Sequence, residues 1–260
     1  MSEAVELWDI PTEDLWCRDA GPIFVKGPNG LAVSHIQFNG WGEKQVNLRD
    51  SKIAQTVANR LGLDLIPTGL RGEAGGVEQD GHCLLLAHES SWLNENRNPN
   101  LSRAQVEERL LKAYGASKVV WTRGVYGEDI TDYHIDSLAR FTSKGNVLLN
   151  LPDDIDEDDL FHLAARDTHD ALVAAGLNVD VITEPHKRRV KSIEFVASHA
   201  NYYVCNGGVI AAQFGDRETD AIAVDALARH YPNREVITLN VDPLGELGAG
   251  IHCATQQMPA

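Results

Sequence analysis

Residues 80–122 read DGHCLLLAHESSWLNENRNPNLSRAQVEERLLKAYGASKVVWT, and this stretch contains most of the repeating unit that the sequence predicts, from the turn after its first strand to its last strand. It opens on an Asp-Gly turn signal, which is followed by the apolar, strand-like run 83–87. Ser102 and Gln105 then stand three residues apart, as in a capping box, ahead of an apolar helical stripe that ends before Gly115. The closing KVVWT run is rich in β-branched residues. The stretch therefore predicts a strand, a helix and a second strand after a turn.

The same order of elements occurs four times along the chain, which indicates an internal structural repeat. Amphipathic helices are predicted at about 51–61, 102–114, 156–175 and 218–230. The short strands that follow these helices are predicted at 63–67, 118–122, 179–183 and 235–239. Turn signals between paired strands lie at Gly30, Gly81, Gly145 and Gly207. A unit of strand, turn, strand, helix and strand, with a period of roughly fifty to sixty residues, is typical of an α/β propeller-like array of ββαβ blades around an axis.

The two ends of the chain do not complete a further unit. The segments 5–10 and 248–257 each have a strand-like pattern, but neither has a helix of its own beside it. We therefore expect a fifth blade without its helix, in which the N-terminal part of the blade is missing. Since no low-complexity linker divides the pattern, residues 1–260 are predicted to form a single domain.

Composition and charge narrow the class of function. The 260 residues contain 23 Lys and Arg against 38 Asp and Glu, and the net charge of −15 disfavours nucleic acid or an anionic membrane as a partner. A negative net charge favours small cationic molecules as ligands instead. The acidic N-terminal segment and the short apolar runs predict neither a signal peptide nor a membrane span. Four cysteines without a CxxC pair predict reduced thiols and a cytoplasmic location.

Reactive side chains stand at comparable places in the repeat, either just ahead of the first strand of a unit or on the final predicted strand. They are Asp19, Glu73, His134, Asp136 and, on the final strand, Cys253. Asp19 and His134 each lie eleven positions before the turn glycine of their unit. If the units are related by rotation about an axis, these positions converge near it. The sequence thus predicts one site built from distant residues.

Each of these signals alone also fits a structural role. His134 and Asp136 could form a satisfied hydrogen-bonded pair, and Cys253 could be a small buried apolar residue. Trp16 could be a core side chain. A further alternative, disfavoured because the chain has no HExxH-type ligand pattern, is a hydrolytic metal site of His134, Asp136, Glu73 and Asp80. The joint placement of the residues favours the functional interpretation.

Six motifs, which follow one another from residue 16 to residue 257, resemble those of the agmatine deiminase and bacterial peptidyl-arginine deiminase family. They are WCRDAGP at 16–22, EAG at 73–75, NRNP at 96–99, DITDYHID at 129–136, QFGD at 213–216 and GIHCATQQ at 250–257. This family belongs to the guanidine-modifying pentein superfamily. The resemblance implies a pentein-type α/β propeller with its blades around a pseudo-fivefold axis.

The resemblance also implies roles for the candidate residues. Cys253 would be the nucleophile, His134 the general acid/base, and Glu73 the residue that orients His134. The residues that bind the substrate guanidinium would be Trp16, Asp19 and Asp136. The implied reaction is hydrolysis of agmatine to N-carbamoylputrescine and ammonia through a covalent thiouronium on Cys253, with no metal and no organic cofactor.

Departures from the family pattern leave alternatives open. Tyr133 replaces the glycine that is usual before the catalytic histidine, and Ile130 lies where agmatine-specific members carry an acidic residue. The substrate could instead be a peptidyl-arginine or another guanidine. The short N-terminal region also leaves open a truncated, non-catalytic pentein that binds a cationic ligand, or a chain that is completed in a homo-oligomer.

Overall fold

The computed structural model describes residues 5–192 and 195–259, and the strands in this part of the chain form four three-stranded sheets. The strands are β1 (Ile23–Gly27), β2 (Gly30–Gln37), β3 (Asp64–Arg71), β4 (Val77–Gln79), β5 (Leu84–His88), β6 (Lys118–Thr122), β7 (Ala139–Ser143), β8 (Asn146–Leu151), β9 (Asn178–Thr183), β10 (Tyr203–Cys205), β11 (Gly208–Gln213) and β12 (Glu235–Asn240). The long helices are α1 (Ile53–Leu61), α2 (Arg103–Tyr114), α3 (Leu160–Ala174) and α4 (Arg217–His230). Along the chain, each long helix follows the second strand of one sheet and precedes the third strand.

All four sheets have the same topology. The first two strands form an antiparallel hairpin, and the second strand pairs in parallel with the third, as Leu84 does with Lys118 in the second sheet. A parallel pair needs a crossover connection, which the long helix supplies. The predicted unit of strand, turn, strand, helix and strand is therefore confirmed, and the fold is mixed α/β.

Local signals set the ends of the helices. The capping box of α2 is present, since Ser102 and Gln105 each accept a backbone N–H from the other residue, and Gly115 ends the helix at a φ of 66°. Helix α3 begins at Leu160, later than the expected 156, because the side chain of Asp159 accepts the first free backbone N–H groups. Within residues 5–192 and 195–259, no helix has the length and apolar character needed to cross a bilayer.

Buried apolar clusters join each unit to the next one along the chain. One cluster packs Leu70 of the first sheet against Leu85 of the second and Leu110 of α2. Another packs Leu86 of the second sheet against Leu149 of the third. A third cluster continues the same arrangement from the third unit to the fourth. The units therefore stand side by side, so segments that precede their first strands can approach one another.

The predicted strands at 5–10 and 248–257 are wrong. Residues 5–10 contain neither helix nor strand, and Cys253 lies in a turn rather than on a strand. The backbone N–H of Thr255 donates to the carbonyl of His252, so these polar groups pair within the segment instead of with a neighbouring strand. The described residues supply four units, and the pseudo-fivefold arrangement around an axis stays a prediction.

Candidate active site

The segments that lead into the first strands of three units carry four of the predicted site residues. Asp19 lies in the short helical turn Cys17–Ala20 before β1, and Glu73 lies directly before the turn at Ala74–Gly76 and β4. His134 lies directly before the helical turn Ile135–Ser137, and Asp136 lies within it; this turn leads into β7 of the third sheet. Cys253 reaches the same region from the C-terminal turn. All five side chains are buried.

His134 lies between two carboxylates. Its Nε2 is 3.2 Å from Glu73 Oε2, and its Nδ1 is 3.8 Å from Asp19 Oδ2. Burial alone would lower the pKa of this imidazole, but the Asp19 charge, together with the hydrogen bond and charge of Glu73, raises it to about 9. His134 is therefore protonated at neutral pH, and both ring nitrogens carry a proton that can be donated.

Glu73 is held by a buried arginine to which the sequence analysis assigned no role. Arg97 Nε donates to both carboxylate oxygens of Glu73, at 3.1 and 2.8 Å, and Arg97 Nη1 donates to Asp132 Oδ2 at 2.6 Å. Lys44 Nζ is 2.8 Å from the same Asp132 oxygen. Charge-assisted bonds of this kind orient a side chain strongly. Glu73 is consequently fixed as an acceptor that faces His134.

Asp19 accepts two hydrogen bonds, which orient its carboxylate toward the site. Trp41 Nε1 donates to Oδ2 at 2.9 Å, and the backbone N–H of Gly75 donates to Oδ1 at 3.1 Å. Burial raises the pKa of Asp19 and Glu73 adds to the rise, whereas His134 opposes it. Trp41 has a left-handed φ of 54°, a conformation that costs energy in a residue with a side chain. Trp41 was not among the predicted site residues, although the Gly-Trp-Gly pattern is a signal of unusual backbone there.

Asp136 and Cys253 form the other side of the site. Cys253 Sγ is 3.6 Å from Asp136 Oδ2, which also accepts a 2.6 Å hydrogen bond from His252 Nδ1. Burial, with a contribution from Asp19, raises the pKa of the Asp136 carboxyl to about 7, although His134 acts against the rise. Burial and the charges of Asp136 and Asp19 raise the pKa of the Cys253 thiol well above its usual value. The thiol is therefore protonated when no cation lies beside it.

Gly75 marks the point at which the predicted residues converge. A Cβ at this position would lie 2.7 Å from Asp19 Oδ1, 2.7 Å from His134 Nδ1 and 3.2 Å from Asp136 Oδ2. A methyl group does not fit there, so glycine is required for the three side chains to approach. The segment 73–75 is thus an integral part of the site.

Trp16 packs in the apolar cluster that also contains Trp41 and Cys253. It is 8% exposed, and its contact with a substrate stays a prediction. Asn201 is a second residue that the sequence analysis missed, and its Nδ2 lies 3.3 Å from Cys253 Sγ. The signal was available, because Asn201 stands just before β10, the place in the fourth unit that corresponds to the other site residues.

The metal-site alternative included Asp80, whose carboxylate has another role. Asp80 Oδ1 accepts the backbone N–H groups of His82, Cys83 and Leu84, and thereby closes the turn before β5. In the described part of the chain, no group of three or more His, Cys, Asp or Glu side chains is arranged to hold a metal ion.

The chain is similar to known proteins both in sequence and in structure. A family model for Porphyromonas-type peptidyl-arginine deiminase matches residues 1–259. The chain is 30% identical to an agmatine deiminase from Medicago truncatula, over 100% of this chain and 80% of the relative. A C. jejuni agmatine deiminase with substrate bound superimposes with a TM-score of 0.89 at 26% identity, over 98% of this chain and 77% of the other.

More distant neighbours share the fold alone. An amidinotransferase from Microseira wollei superimposes with a TM-score of 0.51 at 11% identity, over 91% of this chain and 68% of the other. With this neighbour and the agmatine deiminases, the mixed α/β architecture is that of the pentein fold. Because the family model spans residues 1–259, the chain belongs to the Porphyromonas-type peptidyl-arginine deiminase family.

Proposed function

We propose that the protein is a hydrolase that deiminates a guanidino compound, with agmatine as the first substrate to test and N-carbamoylputrescine and ammonia as its products. The observation that carries the proposal is the meeting of one thiol, one imidazole and three carboxylates in one buried site, with Gly75 next to three of these side chains. The agmatine deiminases among the similar proteins support the same chemistry.

Asp19 and Asp136 are the proposed guanidinium ligands. A guanidinium is planar and presents N–H pairs that match carboxylates in a bidentate manner. Both carboxyls are buried, and burial raises their pKa values because it destabilises the charged form. A cation beside each carboxylate would stabilise that charged form. Two such contacts would hold the central carbon of the guanidinium in front of Cys253 Sγ and reduce the entropy cost of attack.

The cationic substrate itself would activate the nucleophile. Besides burial, the charges of Asp136 and Asp19 are what raise the pKa of the Cys253 thiol, and a bound guanidinium offsets both. As the cation binds, the thiol releases its proton to solvent, and the thiolate then attacks the guanidinium carbon to form a tetrahedral adduct. His134, protonated at neutral pH, donates a proton to the departing nitrogen, and ammonia leaves behind a thiouronium on Cys253.

Hydrolysis of the thiouronium completes the cycle. His134 has lost its proton in the first half-reaction, so it can accept one from an attacking water molecule. Glu73, held by Arg97, keeps the imidazole in position for both transfers. The carbon–sulfur bond then breaks and releases the ureido product and the thiol. This sequence of steps uses side chains of the protein and requires no added cofactor.

Three further expectations belong to this proposal. A small cationic ligand fits the net charge of −15, with no role for nucleic acid or a membrane. Free thiols at Cys17, Cys83, Cys205 and Cys253 are consistent with a cytoplasmic enzyme. We also propose that residues 1–260 form a single catalytic domain and that copies of the chain can associate as a homo-oligomer.

A peptidyl-arginine is the second candidate substrate. Ile130, at the position where agmatine-specific relatives are expected to be acidic, is 40% exposed and offers no carboxylate to a distal amine. Its backbone carbonyl accepts a hydrogen bond from Lys44 Nζ, so a cation already lies beside this loop. These features suit a substrate without a second positive charge.

Ammonia release from agmatine, free arginine and a peptide with C-terminal arginine would test both candidates. We expect turnover of one of them, its complete loss in Cys253→Ala, and no loss in Cys83→Ala, because Cys83 is exposed and lies in the turn before β5. Ammonia release by a folded Cys253→Ala protein would refute the proposed mechanism. Absence of turnover of all three compounds by the wild-type protein would refute the proposed substrates.

A further inference from the structure

A cavity of about 830 Å³ lies next to the candidate active site. Of the described residues that line it, Arg18 and His252 are the chain neighbours of Asp19 and Cys253, which are not part of the lining. Small-molecule sites usually have volumes of about 300–1,000 Å³. The cavity is therefore large enough to hold a ligand other than the guanidino substrate.

The charge around this cavity has the opposite sign to that of the whole protein. Among the described residues that line it, Lys and Arg outnumber Asp and Glu by five to three. In the complete sequence, Asp and Glu outnumber Lys and Arg by 38 to 23. The lining thus favours an anion, whereas the carboxylates of the active site favour a cation.

Arg18 is a lining residue whose positive charge is bonded to neutral groups. Its side chain is buried, and Nε and Nη1 donate to the carbonyl oxygen of His252 and to the side-chain oxygens of Gln256 and Gln257. Among the described residues, Nη2 has no hydrogen-bond partner. A guanidinium that is withdrawn from water in this way still lacks a compensating negative charge at its free nitrogen.

Two other buried arginines show the usual arrangement. Arg97 Nε lies 2.8 Å from Glu73 Oε2, and Arg140 Nε lies 2.7 Å from Glu78 Oε1. A buried charge is costly unless it is paired. Burial lowers the pKa of Arg18, the charge of Arg140 lowers it further, and nearby carboxylates offset this only in part. Arg18 is therefore the buried arginine that would gain most from an anion.

Tyr114 supplies a second donor in the same cavity. It is the last residue of α2 and lines the cavity from the second unit, whereas Arg18 precedes β1 of the first. Its Oη is buried and has no hydrogen-bond partner in the part of the chain that the structure describes. Burial raises the pKa of this phenol and the charge of Arg18 opposes the rise, so the two side chains are close enough to interact.

We propose that this cavity binds a small molecule with a carboxylate or phosphate group, which accepts hydrogen bonds from Arg18 Nη2 and Tyr114 Oη. An oxyanion suits both donors, because its oxygens accept hydrogen bonds and its negative charge compensates the guanidinium. The ligand class differs from that of the active site, whose carboxylates would repel an anion. Binding breaks no covalent bond and moves no proton.

The test is isothermal titration calorimetry at pH 7 with inorganic phosphate and, separately, with acetate. The ionic strength is kept constant with sodium chloride, because salt screens electrostatic attraction. Saturable binding of phosphate, of acetate or of both would support the proposal, and the comparison would show which anion the cavity prefers. If neither anion bound saturably, water would satisfy the two donors and the inference would be overturned.

Tyr114→Phe is the decisive variant, because it removes one hydroxyl group and keeps the ring. A hydrogen bond to a charged group corresponds to a Kd about 10- to 100-fold tighter, so this variant should bind the anion more weakly by that factor. Without ligand its Tm should be no lower than that of the wild-type protein, since the hydroxyl has no partner among the described residues. An unchanged Kd would overturn the inference.

Tyr126→Phe is the matched control. Tyr126 is 48% exposed and is not a lining residue of the cavity, so its Kd should equal that of the wild-type protein. Arg18→Gln should abolish binding, and a folded Arg18→Gln protein with wild-type affinity would also overturn the inference. Because anion binding is measured without guanidino substrate, the result is independent of the turnover assay.

Discussion

Replacing Glu73 with glutamine should lower the pKa of His134. The substitution removes a negative charge that lies 3.2 Å from His134 Nε2 and keeps the size and shape of the side chain. Glutamine can still accept a hydrogen bond from Arg97, which also retains Asp132 as a partner. The change therefore isolates the electrostatic effect of one carboxylate on the imidazole.

Two estimates bracket the magnitude. The Coulomb attraction between two unit charges at that distance is about 5 kcal/mol at an effective dielectric constant of 20. For Glu73 this energy is an upper limit, because the positive charge of Arg97, whose Nε lies 2.8 Å from the same carboxylate oxygen, offsets part of the negative charge. A hydrogen bond to a charged group is worth about 1.5–3 kcal/mol, which corresponds to about 1–2 pKa units. The pKa of His134 should fall from about 9 to a value about 1–2 units lower.

The pH profile of kcat/KM is the assay. In the proposed mechanism His134 must be protonated to act as an acid, so activity is lost as the pH rises through its pKa. At pH 8.5 a fall of about 1.5 units would reduce the protonated fraction about eightfold, whereas at pH 6 the fraction would not change. Titration of the imidazole by NMR measures the same pKa without substrate.

An alkaline limb that stays near pH 9 in a folded Glu73→Gln protein would refute this reasoning. Glu89→Gln is the control, because Glu89 pairs with Arg103 near the surface and has no contact with His134. Its profile should match that of the wild-type enzyme.

Two further substitutions test the crowding and the charge of the site. Gly75→Ala should lower kcat/KM by about 100-fold or more, because its Cβ would lie 2.7 Å from Asp19 Oδ1 and His134 Nδ1. Gly27→Ala is the control and should have no effect, because its Cβ would meet nothing within 4 Å. Equal turnover of the two variants would contradict the steric argument. Asp136→Asn should abolish turnover yet raise the Tm near pH 7, because burial raises the pKa of Asp136 to about 7 in the native state. The native protein then binds this proton more tightly than the unfolded chain does, and loses stability, at most about 4 kcal/mol, as the pH rises from about 4 to about 7. Thermal melts between pH 4 and pH 8 should show the Tm advantage of Asp136→Asn growing over that interval; an advantage that does not depend on pH would contradict the assignment.

The repeating unit could be predicted from the sequence because its signals are local. The capping box at Ser102 and Gln105, the glycine after α2 and the strand Lys118–Thr122 all agree with the structure, since each depends on residues close together in the chain. The two terminal segments were predicted wrongly for the converse reason. A strand-like pattern becomes a strand only when another strand supplies hydrogen-bond partners. The backbone of 248–257 instead bonds within the segment, as Thr255 does to His252, and to single residues outside it, Arg18 and Asn201.

The candidate residues could be named from their order and motif context, but their contacts depend on how the units pack. Trp41 Nε1 meets Asp19 through an unusual left-handed backbone, and Asn201 meets Cys253 across 52 positions of sequence. Pattern and propensity describe neighbours along the chain, whereas these hydrogen bonds join segments that only folding brings together. The directions of the pKa shifts at His134 and Cys253 have the same origin, because burial and nearby charge are properties of the packed structure.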